Sequence, residues 1–140
     1  MATLIDTSVL IATERGRFDL AAWLDKQPSE TFAMSAMTLS ELWFGVLRAD
    51  KEHRADRETF VQELAARFPI HPFDAVVAKT YAEAWSDLSS KGKMIGAHDL
   101  VIAATALALG MSLATLNLDH FKRVRALTVI DAKAPLPKAT

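Results

Sequence analysis

The sequence predicts an α/β domain in three layers, with helices on both faces of a central parallel sheet. Short apolar runs of strand length alternate with longer runs of helical periodicity, the pattern of parallel strands joined by helical crossovers. The stretch "GAHDLVIAATALALG" (96–110) has no charge from Leu100 to Leu109, so its helix is apolar on every face and should be covered on most sides. At 140 residues, 51% hydrophobic and 24% charged, the chain is long and apolar enough for one core. No internal repeat, low-complexity block or interdomain linker divides it, and residues 1–140 are read as a single domain.

In chain order, "TLIDTS" (3–8) reads as a short buried strand ending at Asp6, and "VLIATE" (9–14) starts the first helix. "FDLAAWLDKQ" (18–27) is a second helix and "FAMSA" (32–36) a second strand. "TLSELWFGVLRAD" (38–50) is a helix because Leu39, Leu42, Trp43, Val46 and Leu47 recur at helical spacing. "HRADRETFVQELAARF" (53–68) is amphipathic and is stopped by Pro69. "IHPF" (70–73) suggests a brief third strand. "DAVVAKTYAEAWSDLSS" (74–90) is a helix with Asp74 as its cap, followed by a "KGK" loop. The next helix runs from about His98 to a stop at Gly110. "SLATLN" (112–117) and "LTVID" (127–131) are strands, and the tail "AKAPLPKAT" (132–140) is expected to fray.

Composition narrows the function. The absence of cysteine removes disulfides, thiolate nucleophiles and Cys-based zinc sites, and fits a reducing, cytoplasmic setting. The start has no basic n-region and no run of about 18 apolar residues occurs, so neither a signal peptide nor a membrane span is expected. A net charge of −1 argues against a generally basic nucleic-acid coat but allows a local basic rim. Candidates for that rim are Lys91 and Lys93 ahead of Asp99, and Lys122, Arg123 and Arg125 after Asp119.

Four acids share one kind of address, the end of a strand or the start of a helix, where a doubly wound sheet gathers its cleft. Each has a plainer role available. Asp6 could cap the helix that follows it. Thr38-Leu-Ser-Glu41 matches a capping box, although Glu41 lies opposite the apolar stripe and so faces water or a cleft. Asp99 would be favoured by the dipole of its helix, which explains why it is tolerated and not why it is needed. Asp119, with Asn117 two residues before it, could serve a turn. If the acids converge, their repulsion requires a cation, and hard oxygen ligands suit Mg²⁺ or Mn²⁺. Such a site suggests phosphodiester hydrolysis.

Other constellations are weak. His53, His71, His98 and His120 lack zincin spacing and read as loop or surface residues, although His98 and His120 neighbour candidate acids. "KGKMIG" lacks the spacing of a P-loop, and no G-x-S-x-G elbow is present. Trp23, Trp43 and Trp85 read as core or interface, and Phe44, off its helix's apolar stripe, as an exposed anchor.

Together, "LIDTSVLIA", "SAMTLSELWFGV", "GAHDLVIAATALALG" and "LATLNLDHF" resemble, in order and over nearly the whole chain, the PIN-domain ribonucleases and among them the VapC toxins. The resemblance implies a PIN-like three-layer fold and a metal-dependent endoribonuclease acting on RNA, with Mg²⁺ or Mn²⁺ held by Asp6, Glu41 and Asp99. It makes Asp119 the fourth acid, with Asn117 as a neutral neighbour where the family often has an acid. Ser8 and Thr115 match positions that orient acids or substrate. It also implies a homodimer and a VapB-like antitoxin. A haloacid-dehalogenase reading fails on Asp6-Thr7-Ser8, where that family needs Asp-x-Asp, and a receiver reading lacks a phosphoacceptor in "FAMSA". A non-enzymatic binding module on a decayed fold would be expected to have lost one of the acids.

Overall fold

The computed structural model describes residues 1–134, and the end of the tail, 135–140, lies outside the described residues. Five strands, β1 (Ala2–Ile5), β2 (Thr31–Ser35), β3 (Ile70–His71), β4 (Ser112–Thr115) and β5 (Val129–Asp131), form one parallel sheet in the order β3-β2-β1-β4-β5. The chain lays down β1, β2 and β3 outward in one direction, then crosses back to place β4 on the other side of β1. The order therefore reverses between β1 and β4, and the crevice at their carboxyl ends is where such a sheet receives a ligand.

The helices are α1 (Thr7–Glu14), α2 (Leu20–Asp25), α3 (Ala36–Arg48), α4 (Lys51–Arg67), α5 (Ala75–Ser90), α6 (Ala97–Leu109) and α7 (Leu118–Phe121). Alternation along the strands divides the core in two. Ile5, Met34 and Ala114 join the cluster of Val9, Leu10, Trp23, Leu42, Val46, Val61 and Leu64 under α1 to α4. Their neighbours Leu4, Ala33 and Leu113 join the cluster of Leu88, Leu100, Ile102, Ala103, Ala106 and Phe121 under α5 to α7. The result is the expected three-layer arrangement. Helix α6, uncharged from Leu100 on, is buried at Leu100 and from Ile102 to Ala106, and Gly110 ends it with a left-handed φ of 66°.

The boundaries differ from expectation where the backbone turns sharply. Helix α3 starts at Ala36, directly off β2, because Ser35 Oγ accepts the Thr38 N–H at 3.0 Å and caps it. Thr38 is therefore inside the helix, and the Thr38–Glu41 capping box does not form. Strand β4 stops at Thr115, short of the expected 117, the chain bends at Leu116, and the α7 that follows was not foreseen, since four residues carry too short a periodicity to detect. Trp23 is buried as expected, whereas Trp85 is half exposed.

Candidate active site

Most groups in the crevice are set by element ends. Asp6 directly follows β1 and is only 2% exposed. It occupies the N-cap position of α1, yet its side chain accepts no capping bond. Instead Oδ2 accepts Ser8 Oγ at 2.6 Å and Thr115 Oγ1 at 2.8 Å. Both hydroxyls are themselves oriented by backbone donors. Ser8 Oγ accepts the Leu116 N–H at 3.0 Å, and Thr115 Oγ1 accepts the Asn117 N–H at 2.9 Å. Each therefore turns its proton toward Asp6.

Glu41, on the second turn of α3, accepts Thr7 Oγ1 on Oε1 at 2.8 Å, and its Oε2 lies 3.8 Å from His98 Nδ1. Asp99, in the first turn of α6 and one-quarter exposed, places Oδ2 3.1 Å from His120 Nδ1. The plainer roles for Asp6 and Glu41 thus fail, because neither side chain caps its helix.

Asp6, Glu41 and Asp99 line one open cavity of about 380 Å³, together with Thr7, Ser8 and Asn117. Burial pushes the Asp6 carboxyl above its ordinary range, opposed by the bonds from Ser8 and Thr115, and Asp99 adds to the rise. Burial likewise raises Glu41, opposed by the Thr7 hydroxyl and by His98, while Asp6 and Asp99 raise it further. The three acids therefore feel one another's charge.

The remaining expected site residues divide. Ser8 and Thr115 hold Asp6 as described. Asn117 faces the cavity, whereas Asp119, on α7, lines a neighbouring depression with His120, Asp131 and Lys133. The structure thus brings the amide, and not the fourth acid, to the three carboxylates. The expected basic rim also lies elsewhere. Lys91 Nζ pairs with Asp87 at 3.0 Å, and Lys93 stands exposed on the same loop, outside the cavity lining. Arg123 donates Nη1 to the Met94 carbonyl at 3.2 Å, and Arg125 lines a separate hollow with Glu83 and Asp87. The cations that do line the cavity are Arg15, Arg17 and Lys133. Sequence reasoning missed them, although Arg15 and Arg17 stand just beyond the helix that Asp6 opens.

Among the described residues no three His, Cys, Asp or Glu side chains group closely enough to hold a metal ion alone. The donor set nevertheless fits a hard divalent cation, because three oxygen-bearing acids share a cavity and repel one another. An ion there would complete its shell with water and substrate oxygens, as Mg²⁺ commonly does.

The chain matches the PIN domain family over residues 3–127. It is 37% identical over 131 residues to the ribonuclease VapC1 of Rickettsia felis, covering 93% of this chain and 96% of that protein. Its fold superposes on VapBC-1 of nontypeable Haemophilus influenzae with a TM-score of 0.85 at 26% identity, covering 96% and 100% of the two chains. It also superposes on VapBC-5 of Mycobacterium tuberculosis, a member of the VapBC family of toxin-antitoxin systems, with a TM-score of 0.71 at 27% identity, covering 92% and 95%. A family match over most of its length, a relative of this identity along nearly all of it, and a carboxylate crevice at the sheet's switch point place this chain in the PIN-domain family, among proteins of the VapC type.

Proposed function

We propose that the protein is a cytoplasmic, metal-dependent endoribonuclease, the toxin of a pair whose VapB-like antitoxin silences it. The observation that carries this reading is the convergence of Asp6, Glu41 and Asp99 on one open cavity. Support comes from the VapC1 ribonuclease and the VapBC toxin-antitoxin relatives.

Asp6, Glu41 and Asp99 are the residues that would hold Mg²⁺ or Mn²⁺. When bound, such an ion would supply a water of lowered pKa and a positive charge facing the scissile phosphate. Ser8 and Thr115 hold Asp6 in one rotamer and satisfy Oδ2, leaving its other oxygen for the cavity. The Thr7 hydroxyl does the same for Glu41 on Oε1. Asp99 sits in the first turn of α6, where the helix dipole favours its charge. His120 orients Asp99 from outside. Asn117, neutral and at the cavity wall, offers an amide to the sugar or phosphate without adding a further negative charge. Asp119 stands one hollow away, and we assign it a supporting role in the wall beside His120 rather than a place among the three acids.

Phe44 and Leu47 on α3 are 63% and 69% exposed, and we assign them contacts with the antitoxin or with a second copy in a homodimer. The test is direct. Purified protein should cut RNA internally with Mg²⁺ or Mn²⁺ and stop with EDTA, and expression without the antitoxin should arrest growth. Undiminished cutting in EDTA overturns the metal assignment, and equal growth of cells expressing wild type and Asp6→Ala overturns the toxin assignment.

A further inference from the structure

We infer that a fixed basic track, running from Arg15 and Arg17 through Lys133 to Lys26, carries the RNA backbone out of the cleft on the α1–α2 side. This deepens the ribonuclease reading and rests on it. Arg17 and Lys133 line the cavity of the three acids and also the next hollow, of about 510 Å³, where Lys26 joins them. The two spaces are therefore neighbours that share a cationic wall. A ligand that enters the first and is longer than the first must cross that wall or leave by another side.

The four cations are placed by anchored turns and not by floppy loops. Arg15 caps the carboxyl end of α1, and Gly16, at φ 71°, reverses the chain so that Arg17 returns to the same wall. Three backbone bonds hold that turn, from Arg15 N to Ile11 O, Gly16 N to Thr13 O and Arg17 N to Ala12 O. Lys133 is held beside the end of β4 because Ala132 N donates to Thr115 O at 3.1 Å and Lys133 N to Asp131 Oδ1 at 3.0 Å. Lys26 caps the carboxyl end of α2. Among the described residues, none of the four side chains forms a salt bridge, and all four are exposed. The one acid of the outer hollow, Asp19, is engaged in capping α2 through the Ala22 N–H. Unpaired cations kept beside a nest of carboxylates suit a polyanion that spans both spaces, and in a chain of net charge −1 they supply phosphate contacts where a general basic surface is lacking.

The test measures binding of a labelled single-stranded RNA in Ca²⁺, with cleavage in Mg²⁺ or Mn²⁺ followed in parallel. The combined variant Arg17→Gln, Lys26→Gln, Lys133→Gln should lose roughly tenfold or more in affinity. Its slope of log affinity against log salt should flatten by about 2, from about 0.7 for each of three phosphate contacts on a single strand. KM should rise by a larger factor than kcat falls. Lys26→Gln alone should weaken a long RNA and leave unchanged an oligonucleotide too short to reach the outer hollow. Arg17→Lys, Lys26→Arg, Lys133→Arg should retain the salt slope, which a merely structural defect would not restore. Lys91→Gln, Lys93→Gln should bind within about twofold of wild type if the track is where we place it. An unchanged affinity and slope in the triple variant, with wild type cutting RNA, overturns the track alone. So does a variant that binds RNA normally and escapes the antitoxin, which would assign the wall to a protein partner. A wild-type protein that neither binds nor cuts RNA with metal present overturns the ribonuclease reading, and the track with it.

Discussion

Two hydroxyls decide what Asp6 can do. Thr115 is fully buried, donates to Asp6 and accepts the Asn117 N–H, so it links β1, β4 and the turn into α7 through one oxygen. Thr115→Val keeps the shape and removes that oxygen, which takes the partner from the Asn117 N–H and leaves Asp6 Oδ2 with Ser8 Oγ alone. A loss of about 1–3 kcal/mol of stability is expected in urea denaturation, with a fall in cleavage rate beyond what unfolding explains. Asp6 itself tests whether the site is built for stability. Its carboxyl titrates higher in the folded chain than in the unfolded one, so the native state binds more protons across that window. Stability without metal should therefore decline as pH rises from the ordinary carboxylate range through the raised value. Asp6→Asn keeps an acceptor for Ser8 and Thr115 and removes the buried charge. It should flatten this decline, leave the metal-free melting temperature at neutral pH equal or higher, and abolish cleavage. A lower melting temperature would mean that Asp6 is structural.

At the scale of elements, legibility followed periodicity. Helices α3 to α5 are long enough to show their stripes, and α6 shows its burial by carrying no charge from Leu100 on. What could not be read were junctions. Thr38-x-x-Glu41 has the spacing of a capping box, but β2 runs into α3 without a loop, so Ser35 takes the cap and Glu41 is released to the cavity. Such a choice depends on where the strand stops, which is a tertiary matter. The segment between α7 and β5 holds a second junction invisible in sequence. Ala126 adopts a φ of 68°, a left-handed conformation that a Cβ disfavours by roughly 1–2 kcal/mol. Ala126→Gly relieves that strain and concedes part of the gain to the greater freedom of glycine in the unfolded chain. A net stabilisation of about 0.5–1 kcal/mol is expected in chemical denaturation. Destabilisation would show that the methyl group contributes contacts worth more than the strain.

For the whole molecule, topology separates what sequence distance suggests from what space allows. Lys91 and Lys93 stand eight and six residues before Asp99, yet that many residues can span about 20 Å or more, and here they lead away from the cavity. Arg17 and Lys133 lie at opposite ends of the chain and meet because β1 and β4 are neighbours while the order reverses between them. Asp6 and Asp99 each mark an element end on the side where a parallel sheet opens, whereas Glu41 reaches the cavity from the second turn of its helix. The cations were not legible, since nothing local marks them.

The proposed metal site would couple metal, proton and fold. If the proposed function holds, protons and a divalent ion would compete for Asp6 and Glu41, both of which burial holds above the ordinary carboxylate range. At low pH the acids are neutral, the site is unstrained and the ion has little to bind. As pH rises through the raised values, the metal-free fold loses stability while the binding site gains its charge. Melting curves recorded with EDTA and with Mn²⁺ should therefore lie together in acid and separate progressively toward neutral and mildly alkaline pH. At a Mn²⁺ concentration 100 times its dissociation constant the separation should correspond to roughly 2.7 kcal/mol. Glu41→Gln should shrink the separation without reversing the trend, because Asp6 and Asp99 remain. A separation that is the same at every pH would mean that the ion binds away from these carboxylates, and the assignment of the crevice as the metal site would fall.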